Sequence, residues 1–215
     1  MCHNVPATPA SQTAEGLVTV IEKDAMIRLF SYYRDAEMRG AALLMKMMNR
    51  VDDPEAIVLF TRHIDDETRH AWMWTKRIRD ESAWPVPVPD GYQRRLGKKL
   101  GVPTRLVDLF ALTVIVEERS HKRYTEHAAS ALCDERTRCI LETITRDEKW
   151  HINWMEEWLM KLVQQAPAGG ADPREILARY RDAEEEVFEE MKVEERSWLG
   201  FSLSDPPLLE QTQIA

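Results

Sequence analysis

Apolar side chains recur every three to four residues along most of this chain, the period of helices that bury one face. The first such stretch, residues 17–51, aligns Phe30, Tyr33, Gly40, Ala41, Leu44 and Met48 in a stripe, with the carboxylate of Glu37 inside it. Asp52-Asp53-Pro54-Glu55 then closes one helix and opens another, Asp53 reading as N-cap and Pro54 as the first helical residue. Helix 2, over 54–82, places Phe60, His63, Glu67, His70, Ala71 and Trp74 on one face. The alternate prolines of Trp84-Pro85-Val86-Pro87-Val88-Pro89 forbid a helix and predict an extended run. The connection over 83–104 is long enough to return the chain along a helical bundle. Thr104 reads as N-cap of helix 3 (105–132), Asp134 of helix 4 (134–165) and Asp172 of helix 5 (172–199). Residues 1–16 and 201–215 lack a period and read as tails. The expectation is an all-α chain: a tail over 1–16, a four-helix bundle over 17–165 with one long crossover at 83–104, and a C-terminal helix and tail over 166–215 packed on it.

Composition narrows the function classes. The chain has 215 residues, and 29 Lys and Arg against 37 Asp and Glu leave a net charge of −8, which argues against general nucleic-acid binding. No apolar run reaches the roughly 20 residues a membrane span needs. The N-terminus lacks a basic segment followed by an apolar one, and Cys2, Cys133 and Cys139 form no CxxC, so reduced thiols and a cytoplasmic location are expected. In the crossover, Arg94, Arg95, Lys98 and Lys99 read as a solvated basic surface, a phosphate-bearing ligand being the alternative. Glu184, Glu185, Glu186, Glu189, Glu190, Glu194 and Glu195 read as a solvent face of helix 5. Trp72, Trp74, Trp150, Trp154 and Trp158 read as core packing.

The two halves repeat one arrangement at an offset of 81 residues. It relates Glu37 to Glu118, Asp53 to Asp134, Asp66 to Asp147, Glu67 to Glu148 and His70 to His151. Glu67-x-x-His70 and Glu148-x-x-His151 each set a carboxylate and an imidazole one helical turn apart on the same face. Glu37 lies 15 residues before Asp52 and Glu67 14 after Asp53. At about 1.5 Å per residue, an antiparallel hairpin brings both carboxylates to one level, and the second half behaves alike. Glu117 competes with Glu118, but Glu118 keeps the offset. Four buried carboxylates repel one another unless cations balance them, and two divalent ions with two neutral imidazoles supply that balance. Mixed oxygen and nitrogen donors without cysteine suit iron or manganese rather than structural zinc. Glu37, Glu67, His70, Glu118, Glu148 and His151 are therefore the candidate metal ligands. Asp66 and Asp147 are expected to hold the imidazoles crosswise, Asp66 on His151 and Asp147 on His70. His121, three after Glu118, and His63, four before Glu67, are candidates for a seventh ligand.

These motifs resemble the ferritin-like di-iron superfamily, which includes rubrerythrins, bacterioferritins, ribonucleotide reductase small subunits and carboxylate-bridged oxygenases. The likeness runs from Leu17 to Gln165, and Arg146–Leu159 (RDEKWHINWMEEWL) also looks like helix 4 of aldehyde-deformylating oxygenases. Rubrerythrins carry another Glu where this chain has His121 and usually append a CxxC rubredoxin, absent here. An additional histidine near the metals is similar to arylamine N-oxygenases, where it sits on a different helix. The resemblance implies two iron ions, or a manganese–iron pair, and an enzyme that activates O2 or peroxide to oxidise or oxygenate a small organic substrate. It further implies an external electron donor and a homodimer. The alternative is a ferroxidase or peroxidase that handles iron or oxidative stress.

Overall fold

The computed structural model describes residues 22–101, 103–165, 172–200 and 203, which form six helices and no strand. They are α1 (Lys23–Met48), α2 (Pro54–Asp80), α3 (Tyr92–Leu100), α4 (Leu106–Ala129), α5 (Glu135–Gln164) and α6 (Pro173–Leu199). The expected tails, and residues 17–21 at the start of the first helix, lie outside the described residues. The caps follow the sequence: Asp53 accepts from the Glu55 and Ala56 amides, Asp134 from Thr137 and Asp172 from Arg174. Helix α4 departs from this pattern. Arg105, not Thr104, precedes its first residue and caps nothing with its side chain, and the Thr104 carbonyl accepts instead from Arg50.

Helices α1 and α2 pack as one hairpin, α4 and α5 as another, and α2 lies against α5. Two apolar clusters fill this assembly. One holds Leu44, Met47, Phe60, Phe110, Trp154 and Leu159, the other Phe30, Tyr33, Trp74, Tyr124, Leu141 and Ile144. Each of the four helices contributes to both, so the middle of each helix lies between two dry regions. Helix α4 is apolar nearly all round from Leu109 to Ile115 because α5 and α6 both cover it.

The crossover corrects the expectation of an extended return. Beyond Pro89 the chain folds into α3, because Tyr92 and Leu96, four residues apart, both bury against α6. The basic residues of this stretch are paired rather than simply solvated: Arg95 with Glu194, Lys99 with Glu186 and Lys98 with Asp90. The solvent face expected of α6 is corrected too. Glu184 and Glu195 are buried, Glu184 on the forked guanidinium of Arg119 (both N–O distances 2.7 Å) and Glu195 on Arg123 at 2.8 Å. Tyr92 also donates to Glu184 at 2.9 Å, so one carboxylate ties α3, α4 and α6 together. Of the tryptophans expected in the core, Trp72 is exposed. Cys133 is free and buried, and Cys2 lies outside the described residues.

Candidate metal centre

Between the two apolar clusters lie seven polar side chains, none more than 5% exposed: Glu37, His63, Glu67, His70, Glu117, Glu148 and His151. They form two four-membered groups whose donor atoms lie within 4.8 Å of one another, His63, Glu67, Glu117 and His151 in one, Glu37, Glu67, His70 and Glu148 in the other. Glu67 belongs to both. Five of the six residues singled out by the repeat are thus brought together. Glu118 is not among them. It is partly exposed and takes the Arg181 guanidinium at 2.6 Å, while Glu117 points into the cluster. His121 is half-buried and outside both groups, whereas His63 is inside.

The shift from Glu118 to Glu117 has a local cause. Helix α1 ends at Asn49 in a helical conformation (φ −67°, ψ −2°), but α4 ends at Ser130 in an extended one (φ −63°, ψ 138°). The chain leaves the two helices differently, so equal counts back from Asp53 and Asp134 do not reach the same face, and one residue turns a side chain by about 100°. The periodicity of α4 carried the signal. Seven residues before and seven and ten after Glu117 stand Phe110, Tyr124 and His127, all buried; the residues four and seven after Glu118 are exposed Lys122 and Thr125.

The imidazoles are oriented from behind. His70 Nε2 lies 3.1 Å from Asp147 Oδ2, and His151 Nε2 lies 3.4 Å from Asp66 Oδ2. With Nε2 donating outward, Nδ1 faces inward, at 3.4 Å from Glu37 for His70 and 3.6 Å from Glu117 for His151, and offers its lone pair once its own proton is displaced. Arg69 contacts both aspartates, linking the two outer partners. Burial opposes their ionisation, but the imidazoles and Arg69 outweigh it and hold both below the ordinary carboxylate range. Tyr124 donates to Glu37 Oε1. Gly40 leaves room for the shared carboxylate, since a Cβ there would sit 2.1 Å from Glu67 Oε2. His63 stacks on His151 with ring centroids 3.6 Å apart, and its Nε2 is 3.3 Å from Glu117.

Charge is unbalanced in this cluster. Burial and then neighbouring carboxylates raise Glu67 and Glu148 well above the usual carboxylate range. His70, despite a burial that favours the neutral form, is pushed up to about 9 by Asp147 and Glu37. Burial lowers His63, with Glu117 opposing. Several inward atoms have no hydrogen-bond partner: both nitrogens of His63, Nδ1 of His70 and His151, and Oε2 of Glu148. Buried polar atoms are rarely left so, and these share one centre and one donor chemistry. The residues present therefore fit two cations, one on each side of Glu67.

No protein-family model matches the chain, and no curated protein matches it. A solved structure, protein 19 with aldehyde deformylating oxidase activity from Synechococcus, is similar at a TM-score of 0.62 and 18% sequence identity. The match covers 84% of this chain and 82% of that one, and it shows a shared helical fold. Among the described residues, no helix is long and apolar enough to cross a membrane.

Proposed function

We propose that this chain is a ferritin-like dinuclear metalloenzyme, a four-helix bundle with one long crossover and an added C-terminal helix, that oxidises or oxygenates a small organic substrate with O2. The observation that carries this reading is the pair of buried four-donor groups sharing Glu67, with unpartnered atoms aimed between them. Glu37, Glu67, His70 and Glu148 would hold one ion, and His63, Glu67, Glu117 and His151 the other. Iron held there would supply the redox chemistry for oxidising an organic molecule with O2, with electrons from an external donor. The second group is richer in nitrogen, so the two positions differ in the metal they favour, and a manganese–iron pair fits as well as two irons.

The chain's own residues prepare the site. Asp66 and Asp147 fix the tautomer of His151 and His70, and Arg69 fixes the aspartates. Tyr124 steadies one oxygen of Glu37. The apolar clusters above and below exclude water, which strengthens every charge interaction between them. The oxidase activity of the Synechococcus protein supports an oxidative enzyme.

Replacing an outer partner of a metal-bound histidine typically costs about 10- to 100-fold in metal affinity. Asp66→Ala is expected to weaken Fe(II) binding by that factor in an anaerobic titration, and unchanged affinity would remove Asp66 from this role. Cations must also displace protons. His70, raised to about 9, stays protonated below that pH, so Fe(II) affinity is expected to climb between about pH 6 and 9, with protons released into a weakly buffered solution. A flat pH profile would show that the imidazoles take no part.

The functional test is O2 uptake by the Fe(II)-loaded, reduced chain, followed with an oxygen electrode and optical spectra. The reading predicts uptake that depends on bound iron. A large hollow assembly in solution would favour iron storage instead, and peroxide consumed faster than O2 would favour a peroxidase.

A further inference from the structure

Residue 40 lies well inside α1, one turn beyond Glu37, and it is a glycine. The helix itself gives no reason for that choice. Gly40 keeps a negative φ within unbroken helix, a conformation any residue adopts, and alanine there would favour the helix more. The reason lies on the facing helix. The three atoms nearest to a Cβ at residue 40 all belong to Glu67 of α2: Oε2 at 2.1 Å, Cδ at 3.1 Å and Cγ at 3.9 Å. The first distance is far inside van der Waals contact. The other oxygen of that carboxylate, Oε1, stands 3.4 Å from His63 Nε2. The carboxylate common to both four-donor groups therefore sits between an imidazole and the bare backbone of α1. Gly97 of α3 offers the contrast, since a Cβ added there meets nothing within 4 Å.

We infer that Gly40 is a positioning residue for the dinuclear centre: its missing side chain is what lets the Glu67 carboxylate stand where both four-donor groups can use it. This rests on the dinuclear reading above. A methyl group at residue 40 is fixed to the backbone of α1, whereas the carboxylate ends a rotatable side chain, so the carboxylate is the part that yields. Glu67 belongs to both groups, so its displacement reaches both ions although no donor is deleted and no charge is changed. The weak helix former in α1 is thus accounted for by the centre rather than by the helix.

Five full-length chains test this: the parent, Gly40→Ala, Glu67→Ala, the double variant Gly40→Ala/Glu67→Ala, and Gly97→Ala as control. Fe(II) affinity is read by anaerobic titration, and the melting temperature of each iron-free chain by calorimetry. Gly97→Ala is expected to raise the melting temperature by about 2–4 °C, the gain of alanine over glycine in a helix, and to leave Fe(II) affinity unchanged. Gly40→Ala is expected to weaken Fe(II) binding at least about tenfold, no less than the loss of an outer partner does. Its own gain of about 2–4 °C should emerge only when Glu67→Ala has cleared the carboxylate away, so the two substitutions are not additive. Parental Fe(II) affinity in Gly40→Ala, or the same change in melting temperature with and without the Glu67 carboxylate, would overturn the role. If Gly40→Ala alone fails to fold, recovery in the double variant supports the contact and no recovery overturns it. A parent that binds no Fe(II) rejects the dinuclear reading, while the iron-free melting temperatures still show whether Gly40 makes room for Glu67. A parent that binds two ions beside an unaffected Gly40→Ala rejects only the role of Gly40.

Discussion

Glu117→Gln abolishes tight binding of one of two iron ions, whereas Glu118→Gln leaves both in place. The two residues are neighbours of the same type, so composition and helix propensity cancel in the comparison. Glu117 is buried with Oε1 3.3 Å from His63 and Oε2 3.6 Å from His151. Removing its charge takes one donor directly from the cluster, which exceeds the about 10- to 100-fold cost of losing an outer partner. Iron-dependent O2 uptake should fall with it. Glu118 pairs with Arg181, itself half-exposed, and surface pairs of that kind contribute about 0–1 kcal/mol. Iron content per chain and O2 uptake of the two variants decide the matter, and equal effects would dissolve the assignment.

The second large effect concerns stability. Arg119→Met leaves Glu184 buried without its bidentate partner, with only Tyr92 still donating to it. Removing one member of a buried ion pair costs about 3–5 kcal/mol, because the remaining charge stays desolvated. For a chain of this length that corresponds to a fall of roughly 10 °C in melting temperature. Adding Glu184→Leu to Arg119→Met should recover most of the loss, since no uncompensated charge remains in the interior. Calorimetry of the two variants checks both steps. A single variant as stable as the parent would mean that α6 is not anchored through this pair.

Much of this architecture is written locally. Asp53, Asp134 and Asp172 announce helix starts by their side-chain chemistry, and the two Glu-x-x-His pairs share a face whatever the tertiary context. Hence α2 and α5, and Glu67, His70, Glu148 and His151 on them, could be placed from spacing alone. What escaped depended on geometry between elements. Counting back from Asp134 misses the extended backbone at Ser130 and lands on Glu118, although the spacing of Phe110, Tyr124 and His127 within α4 points to Glu117. His63 was visible on the ligand stripe, but only the approach of α5, which stacks His151 against it, brings it into the cluster. The acidic helix α6 looks solvated because its partners Arg119 and Arg123 lie some 65 to 72 residues away in sequence. Helix α3 was hidden by the prolines before it, although Tyr92 and Leu96 have helical spacing.

The central claim is most directly tested by anomalous diffraction at the iron edge from crystals grown with Fe(II) under anaerobic conditions. The account predicts two peaks, both beside Glu67, one adjoining Glu37, His70 and Glu148 and the other adjoining His63, Glu117 and His151. No peak between the four helices, or iron bound only at surface carboxylates such as Glu118, would contradict it.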